Sequence, residues 1–176
     1  ILRVVADSQI SSRVAGTIRR LMNTGNGLRG QRNINLVDNT ESFIGFNFNK
    51  FKLFDSQFNA PSTGPTLSAG RDKVTWSIPD FETTDYIGIP NGATHCKLVL
   101  AAGYVSNYEW EPVTKLYEPV EETPNGIGGI TYSNAIALGG MVGAATDLVV
   151  DLTAYAPIPV TTALYGATGI VFYQEV

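Results

Sequence analysis

The chain is poor in the residues that build disulfides and metal centres. Its 176 residues include one cysteine, Cys96, and one histidine, His95. A single cysteine forms no internal disulfide, and most zinc-type sites need several cysteine or histidine ligands. We therefore expect no disulfide framework, no metal centre of this type and no cofactor.

Charged residues and long apolar runs are also scarce. Asp, Glu, Lys and Arg make up 16% of the chain, against the usual quarter. No apolar stretch approaches the roughly 18 residues that a membrane helix needs, so we expect no membrane insertion. The first residues, ILRVVADSQ, lack the apolar core and the cleavage site of a signal peptide. Localisation stays open, with the cell surface or the extracellular space as the working expectation.

Charge is divided unevenly along the chain. Residues 1–35 contain six arginines and one acid, Asp7, for a net charge of +5. Residues 36–176 contain fifteen acids and six bases, for a net charge of −9. A basic segment on an acidic body suits nucleic acid, or the acidic body of a neighbouring copy. The arginines that we assign to an assembly arm are Arg13, Arg19, Arg20, Arg29 and Arg32.

The N-terminal segment has the pattern of an amphipathic helix. Over the first 24 residues, Ile10, Val14, Ile18 and Leu21 recur at helical spacing, while arginines fall off that stripe. The Gly- and Asn-rich run NTGNGLRGQRN follows and predicts the end of the helix.

From about Ile34 onward the pattern is that of β-strands. The stretch FIGFNFNKFKLF (43–54) places phenylalanines at alternate positions, with a slip of one residue near Asn49 and Lys50. Alternation with a slip predicts the inner wall of a core, interrupted by a bulge or a tight turn. The lysines would then face water.

Further strands follow at intervals of about ten residues. KVTWSI is expected to end at Pro79, CKLVLAAGY to be a central strand because it is apolar on both faces, and NYEWEP with LYEPVEE to form a hairpin. DLVVDLTAY alternates well, and the C-terminal strand carries Gly166 and Gly169, which predict a bend or bulge. Residues 127–145 receive no assignment.

These patterns predict a mainly β protein. We expect an antiparallel β-sandwich, Ig-like or jelly-roll-like, with one N-terminal amphipathic helix. Residues 1–33 would form a helical, Arg-rich arm and residues 34–176 the sandwich domain.

Short motifs resemble an uncharacterised protein family of Bacteroidota. The matching segments are SRVAGTIRRLM, RGQRN (29–33), GFNFN (45–49), GATHCKLV (92–99) and GIVFYQEV (169–176). The resemblance spans nearly the whole chain and implies an N-terminal helix followed by an all-β region. It implies no activity, and it implies a chain trimmed at both ends.

Candidate catalytic features are weak. On a strand, His95 and Cys96 point to opposite faces, so they do not form a nucleophile–base pair. Gly126, Gly128 and Gly129 in PNGIGG lack the lysine and the strand–loop–helix context of a phosphate loop. We therefore expect a protein that is not an enzyme.

The predicted hairpin concentrates acidic and aromatic residues. Its acids suit calcium, paired carboxylates for glycoside hydrolysis, or a solvated edge that prevents sheet aggregation, and we favour the last. Its aromatics suit a glycan platform or core filling. The acidic edge consists of Glu109, Glu111, Glu118, Glu121 and Glu122, and the glycan platform of Tyr108, Trp110 and Tyr117, with Tyr104 nearby.

Three functions remain after these exclusions. We favour a non-enzymatic structural subunit that assembles into a homo-polymer (a filament, sheath or shell), through the basic arm and β-edge contacts of GIVFYQEV. The alternative is a glycan-binding or adhesive module. The third is a nucleic-acid accessory protein, which the net charge of the body disfavours.

Overall fold

The protein is mainly β, with one long helix at its N-terminal side. The computed structural model describes residues 6–175. The helices are α1 (Ile10–Thr24), α2 (Phe54–Gln57) and α3 (Thr83–Tyr86), with 3-10 turns at Thr40–Phe43 and Thr153–Tyr155. The strands are β1 (Thr66–Leu67), β2 (Lys73–Ile78), β3 (His95–Ser106), β4 (Tyr108–Glu111), β5 (Leu116–Pro119), β6 (Gly128–Tyr132), β7 (Ile136–Ala137), β8 (Thr146–Asp151) and β9 (Thr162–Tyr173).

All strand pairs in the described chain are antiparallel. One sheet has the order β1-β2-β8, and a second places β3 between β9 on one side and β6 with β7 on the other. The third sheet is the β4–β5 hairpin. The prediction that CKLVLAAGY is a central strand is confirmed, as are the hairpin and the strand that ends before Pro79.

The two larger sheets enclose the main core in a sandwich-like arrangement. β2 contributes Val74, Trp76 and Ile78, and β8 contributes Leu148 and Val150; all five are at most 3% exposed. Alternate residues of β3 face them from the second sheet and are equally buried. These are Cys96, Leu98, Leu100, Ala102 and Tyr104.

Helix α1 packs at the hairpin end of the molecule. Its buried Leu21 forms a second apolar cluster with Ile34 and Leu36. Tyr108 and Tyr117 of the hairpin pack against the same cluster, and Ile34 forms a β-bridge with Tyr108. The apolar stripe predicted for the helix therefore rests on the hairpin, while residues 1–5 of the predicted helical segment lie outside the described residues.

The phenylalanine run is not a strand, which corrects the sequence prediction. The segment 34–65 contains turns and α2, and the first strand begins at Thr66. Asn47 Oδ1 accepts a hydrogen bond from the Phe54 N–H (3.0 Å), and Asn49 Oδ1 accepts from the Phe51 and Lys52 N–H groups (2.9 and 3.1 Å). These asparagine side chains fold the backbone into turns, so alternation in the sequence does not become a β ladder.

Strand β9 has no bulge, although the sequence predicted a bend or bulge there. Its twelve residues pair with β3 without a register break, from Thr162 to Tyr173. A Cβ atom added to Gly166 would lie 3.1 Å from Val74 Cγ1 of the opposite sheet. Gly166 thus permits close approach of the two sheets rather than a bulge.

Candidate functional site

The β4–β5 register collects carboxylates on one face of the hairpin. Glu109 lies directly opposite Glu118, and Glu111 lies opposite Leu116. We call these four residues the acidic face. Glu111 accepts a hydrogen bond from the backbone N–H of Val113 (2.9 Å). The predicted sharing of one face by Glu109 and Glu111, with Glu118 across the hairpin, is confirmed.

The carboxylates of the acidic face have neutral partners only. Glu109 accepts a hydrogen bond from the Asn33 side chain (3.2 Å), and Glu118 accepts one from the Thr114 hydroxyl (2.8 Å). Within residues 6–175, no lysine, arginine or histidine forms an ion pair with the acidic face. Like charges directly opposite one another in a hairpin are destabilising, so this face is an uncompensated negative surface.

The other two predicted acids lie outside this face. Glu121 is half-buried, accepts a hydrogen bond from the Thr161 hydroxyl (3.0 Å), and donates its backbone N–H to Ser106 Oγ (2.9 Å). Glu122 follows it and is exposed. Glu121 therefore fixes the chain after β5, and neither residue joins the pair of opposed carboxylates.

Three of the five arginines are exposed, and their charge is opposite to that of the acidic face. Arg19 and Arg20 lie on α1 and Arg29 lies in the loop that follows it; all are exposed. Arg20 Nη2 donates to the Thr17 hydroxyl (2.9 Å). Within the described part of the chain, none of the three is ion-paired with a carboxylate. We call Arg19 and Arg20 of α1 the basic surface; Arg29 lies in the loop that contacts the hairpin through Gly30 and Asn33.

Arg13, by contrast, is bound within its own chain. Its guanidinium pairs with Asp7 at 2.7 Å, donates to the carbonyls of Asn47 and Phe48, and lies over the Phe46 ring at 5.2 Å from the centroid. The structure therefore places Arg13 as a tie between α1 and the phenylalanine-rich loop.

Arg32 is also engaged within the chain. It donates from Nη1 to the Asn23 carbonyl, which joins the loop after α1 to the end of that helix. Of the five arginines predicted as an arm, three remain free for a partner, and two hold local structure.

A shallow groove adjoins the basic surface. It has a volume of about 450 Å³ and lies between α1 and residues 42–46. Arg20 lines it, together with Phe46 and with Ile44, whose side chain is 82% exposed. No pattern in the sequence predicted the exposure of Ile44, since exposure in a turn follows no periodicity.

The hairpin also exposes apolar side chains that the sequence analysis did not single out. Leu116, within the acidic face, is 62% exposed, and Val113 at the tip is 87% exposed. Strict alternation along β5 was the available signal for Leu116, because it puts residues 116 and 118 on one face.

The predicted glycan platform is largely occupied by packing. Tyr108 and Tyr117 pack on the second apolar cluster, and the Tyr108 hydroxyl accepts a hydrogen bond from Asn125 Nδ2 (2.8 Å). Trp110 is half-buried and meets Tyr117 edge-to-face at 5.4 Å between ring centroids. Tyr104 lies in the main core. Glycan binding stays a prediction, with Trp110 as the accessible ring.

His95 and Cys96 lie at one end of β3 and face opposite sides. Burial raises the pKa of the Cys96 thiol to about 12, whereas His95 pairs with Glu175 at 3.1 Å and stacks on Tyr173. No group of three His, Cys, Asp or Glu side chains in residues 6–175 is arranged to hold a metal ion. No helix in those residues is long and apolar enough to cross a membrane.

Comparison with protein-family models, curated proteins and solved structures finds no match for this chain. The resemblance to a Bacteroidota family therefore stays a prediction. The two charged surfaces are the features of the molecule that bear on its function.

Proposed function

We propose that this protein is a non-enzymatic structural subunit that assembles head to tail with copies of itself. In the proposed contact, the acidic face of one copy meets the basic surface and its groove on the next. Because the two surfaces differ, the contact is heterologous and propagates into a filament, sheath or shell.

The observation that supports this most is the pair of opposed carboxylates, Glu109 and Glu118. Their cross-strand repulsion costs stability in the isolated chain, and no cation of the described residues offsets it. An arginine from a neighbouring copy would offset it. Arginine suits this role because its guanidinium bonds two carboxylate oxygens at once.

One copy does not satisfy its own acidic face with Arg19 or Arg20. The aromatic side of the hairpin packs toward the cluster around Leu21 of α1, so the acidic face points away from that helix. The contact that pairs these charges is therefore expected between copies.

Apolar contact adds to the charge pairing. Leu116 lies among the glutamates, and Ile44 lies in the groove beside Arg20. Burying such side chains stabilises an interface at roughly 25 cal/mol per Å² of apolar surface. The opposite charges then set orientation and rate of association more than affinity.

A charge-exchange experiment tests the proposal. The basic variant Arg19→Glu/Arg20→Glu and the acidic variant Glu109→Lys/Glu118→Lys are each expected to stop polymer growth at low salt. An equimolar mixture is expected to restore co-assembly, measured by light scattering and negative-stain images. The reason is that each variant keeps one native surface, and the two altered surfaces complement each other.

Control variants carry single charge reversals of each sign elsewhere. Lys52→Glu and Glu122→Lys alter exposed residues outside both surfaces and should leave assembly intact. Polymers of either charge-reversed variant alone, with undiminished mass, would overturn the proposal. So would wild-type protein that stays monomeric at low salt and high concentration.

A further inference from the structure

The C-terminal strand β9 is an edge strand along its full length. It pairs with β3 on one side only within residues 6–175. The Asn107 N–H donates to the Thr161 carbonyl, so the odd-numbered residues of β9 direct their backbone groups toward β3. The even-numbered residues therefore direct their N–H and C=O groups away from the sheet.

The structure leaves five of these outward backbone units without a partner. At the start of the strand, the Thr162 carbonyl accepts from Arg71 Nη1 (2.5 Å), and the Thr162 N–H donates to the Pro159 carbonyl (3.1 Å). Beyond that point no hydrogen bond of the described chain uses the outward groups. They belong to Leu164, Gly166, Thr168, Ile170 and Phe172.

Within residues 6–175, β9 lacks charge, proline and bulges, although α2 and the loop 59–65 lie beside part of it. The sequence TALYGATGIVFY contains no charged residue and no proline, and its pairing shows no bulge. Natural edge strands are commonly short, charged, interrupted or covered. A long, neutral, uninterrupted edge is a template for pairing with another chain.

The other edges in the described residues are charged or shorter than β9; β6 is also a neutral edge, but it has only five residues. β1 has two residues, and β8 carries Asp147 and Asp151 and offers its Val149 carbonyl to the Thr131 hydroxyl (2.7 Å). The hairpin carries the opposed glutamates already described. β9 is thus the longest edge without charge or proline among the described residues.

The edge is open at its middle. A cleft of about 320 Å³ lies beside Thr168, bounded by Phe54 and Phe58 near α2 and by Trp76 of the opposite sheet. Thr168 is half-buried, and the cleft separates it from α2 and from the loop 59–65.

We propose that β9 of one copy pairs with β9 of a second copy, antiparallel and across a two-fold axis at Thr168. Backbone parity and strand length fix this register. Thr168 then opposes itself, Gly166 opposes Ile170, and Leu164 opposes Phe172, so all five free units are paired. No charged residue of β9 opposes another, and the small Gly166 accommodates the larger Ile170.

This contact deepens the proposed function and rests on it, because it supplies a second, isologous interface beside the head-to-tail one. The two interfaces respond differently to salt. Screening at 1 M salt weakens contacts between exposed charges, whereas backbone pairing and apolar contact persist.

Mass measurement in high salt is the first test. Wild-type protein at 1 M salt is expected to have twice the mass of the 18.9 kDa chain. The Arg19→Glu/Arg20→Glu variant is expected to stay at that dimer mass at every salt concentration. A monomer at 1 M salt would overturn the β9 pairing and leave the head-to-tail proposal standing. A wild-type protein that is a dimer at all salt concentrations would overturn the head-to-tail proposal and leave the β9 pairing standing.

The second test uses the proposed register, in which Thr168 of one copy lies opposite Thr168 of the other. In the Arg19→Glu/Arg20→Glu background at low salt, Thr168→Lys and Thr168→Asp should each be monomeric, because like charges would face each other unscreened across the axis. Their mixture should form a dimer of one copy of each. Dimers of either variant alone, as abundant as in the wild type, would refute the register.

A cysteine substitution keeps the test valid if the charged variants unfold. Cα atoms of a hydrogen-bonded antiparallel pair lie about 5.5 Å apart, within the range of a disulfide. Thr168→Cys should therefore form a covalent dimer on mild oxidation, while Val113→Cys, which is more exposed at the hairpin tip, should not. Equal cross-linking of the two variants, or none at Thr168→Cys, would overturn the proposal.

Discussion

Neutralising one of the two opposed carboxylates should stabilise the subunit and weaken the assembly. Glu118→Gln keeps an oxygen that accepts the Thr114 hydroxyl hydrogen bond and removes the charge that faces Glu109. Cross-strand pairs contribute roughly 0.2–1 kcal/mol, and like charges act unfavourably. Because the pair is exposed, we expect a gain of about 0.5 kcal/mol in the free energy of unfolding.

That gain corresponds to a rise in Tm of about 1–2 °C for a chain of this size. The same substitution removes one partner of the basic surface. An exposed ion pair contributes about 0.2–1 kcal/mol, so the critical concentration for assembly should rise up to about five-fold. Calorimetry at low salt, at a protein concentration below the critical concentration, measures the first effect where the repulsion is unscreened, and sedimentation at low salt measures the second.

Glu122→Gln is the matched control for Glu118→Gln. It removes the same charge from an exposed residue outside the strands, so neither Tm nor the critical concentration should move. A lower Tm for Glu118→Gln would show that the opposed carboxylates are not a destabilising pair. An unchanged critical concentration would show that the acidic face takes no part in assembly.

Three further predictions concern the body of the subunit. Gly166→Val should cost about 1–3 kcal/mol in urea unfolding, because a Cβ there meets Val74 at 3.1 Å; an unchanged midpoint would contradict that contact. Cys96, buried and with its pKa raised to about 12, should react with thiol reagents at pH 8 only after denaturation, and rapid labelling of the folded protein would refute its burial. The pKa of Asp7 is lowered, chiefly by the hydrogen bond from the Lys50 N–H. Its carboxylate therefore stabilises the fold above its unfolded pKa near 3.8, and this contribution is lost as pH falls through the lower folded value. Asp7→Asn should lower Tm more at pH 7 than at pH 2.5, and equal losses at both pH values would contradict this linkage.

The periodicity of apolar residues correctly predicted the strands that are hydrogen-bonded to strands on both sides. β2 and β3 alternate or run continuously apolar, and each is flanked by strands on both sides. The hairpin was equally readable, since Tyr108 and Trp110 alternate with Glu109 and Glu111. For these elements the local pattern and the final environment agree.

The phenylalanine run shows why the same pattern fails elsewhere. Phe46 and Phe48 alternate with asparagines, as in a half-buried strand, yet the asparagine side chains bond nearby backbone N–H groups. Arg13 donates hydrogen bonds to the carbonyls of Asn47 and Phe48, so these carbonyls are not available to a neighbouring strand. The asparagine turns and the hydrogen bonds from the Arg13 guanidinium prevent a strand here, although the residues alternate. Neither interaction produces a periodic pattern in the sequence.

The candidate site was predictable in part for similar reasons. Glu109, Glu111 and Glu118 share a face because the hairpin register follows from alternation. Which arginines stay free was not predictable, since Arg13 finds Asp7 and loop carbonyls only after the chain folds. The exposed edge of β9 depends on which strands neighbour it, and that is a property of the topology.

The most direct test of the self-assembly account is the mass distribution of the purified protein in low and high salt, with negative-stain images of the same samples. The account predicts polymers at low salt that dissociate to dimers at 1 M salt. A single monomeric species of 18.9 kDa in both conditions would contradict it.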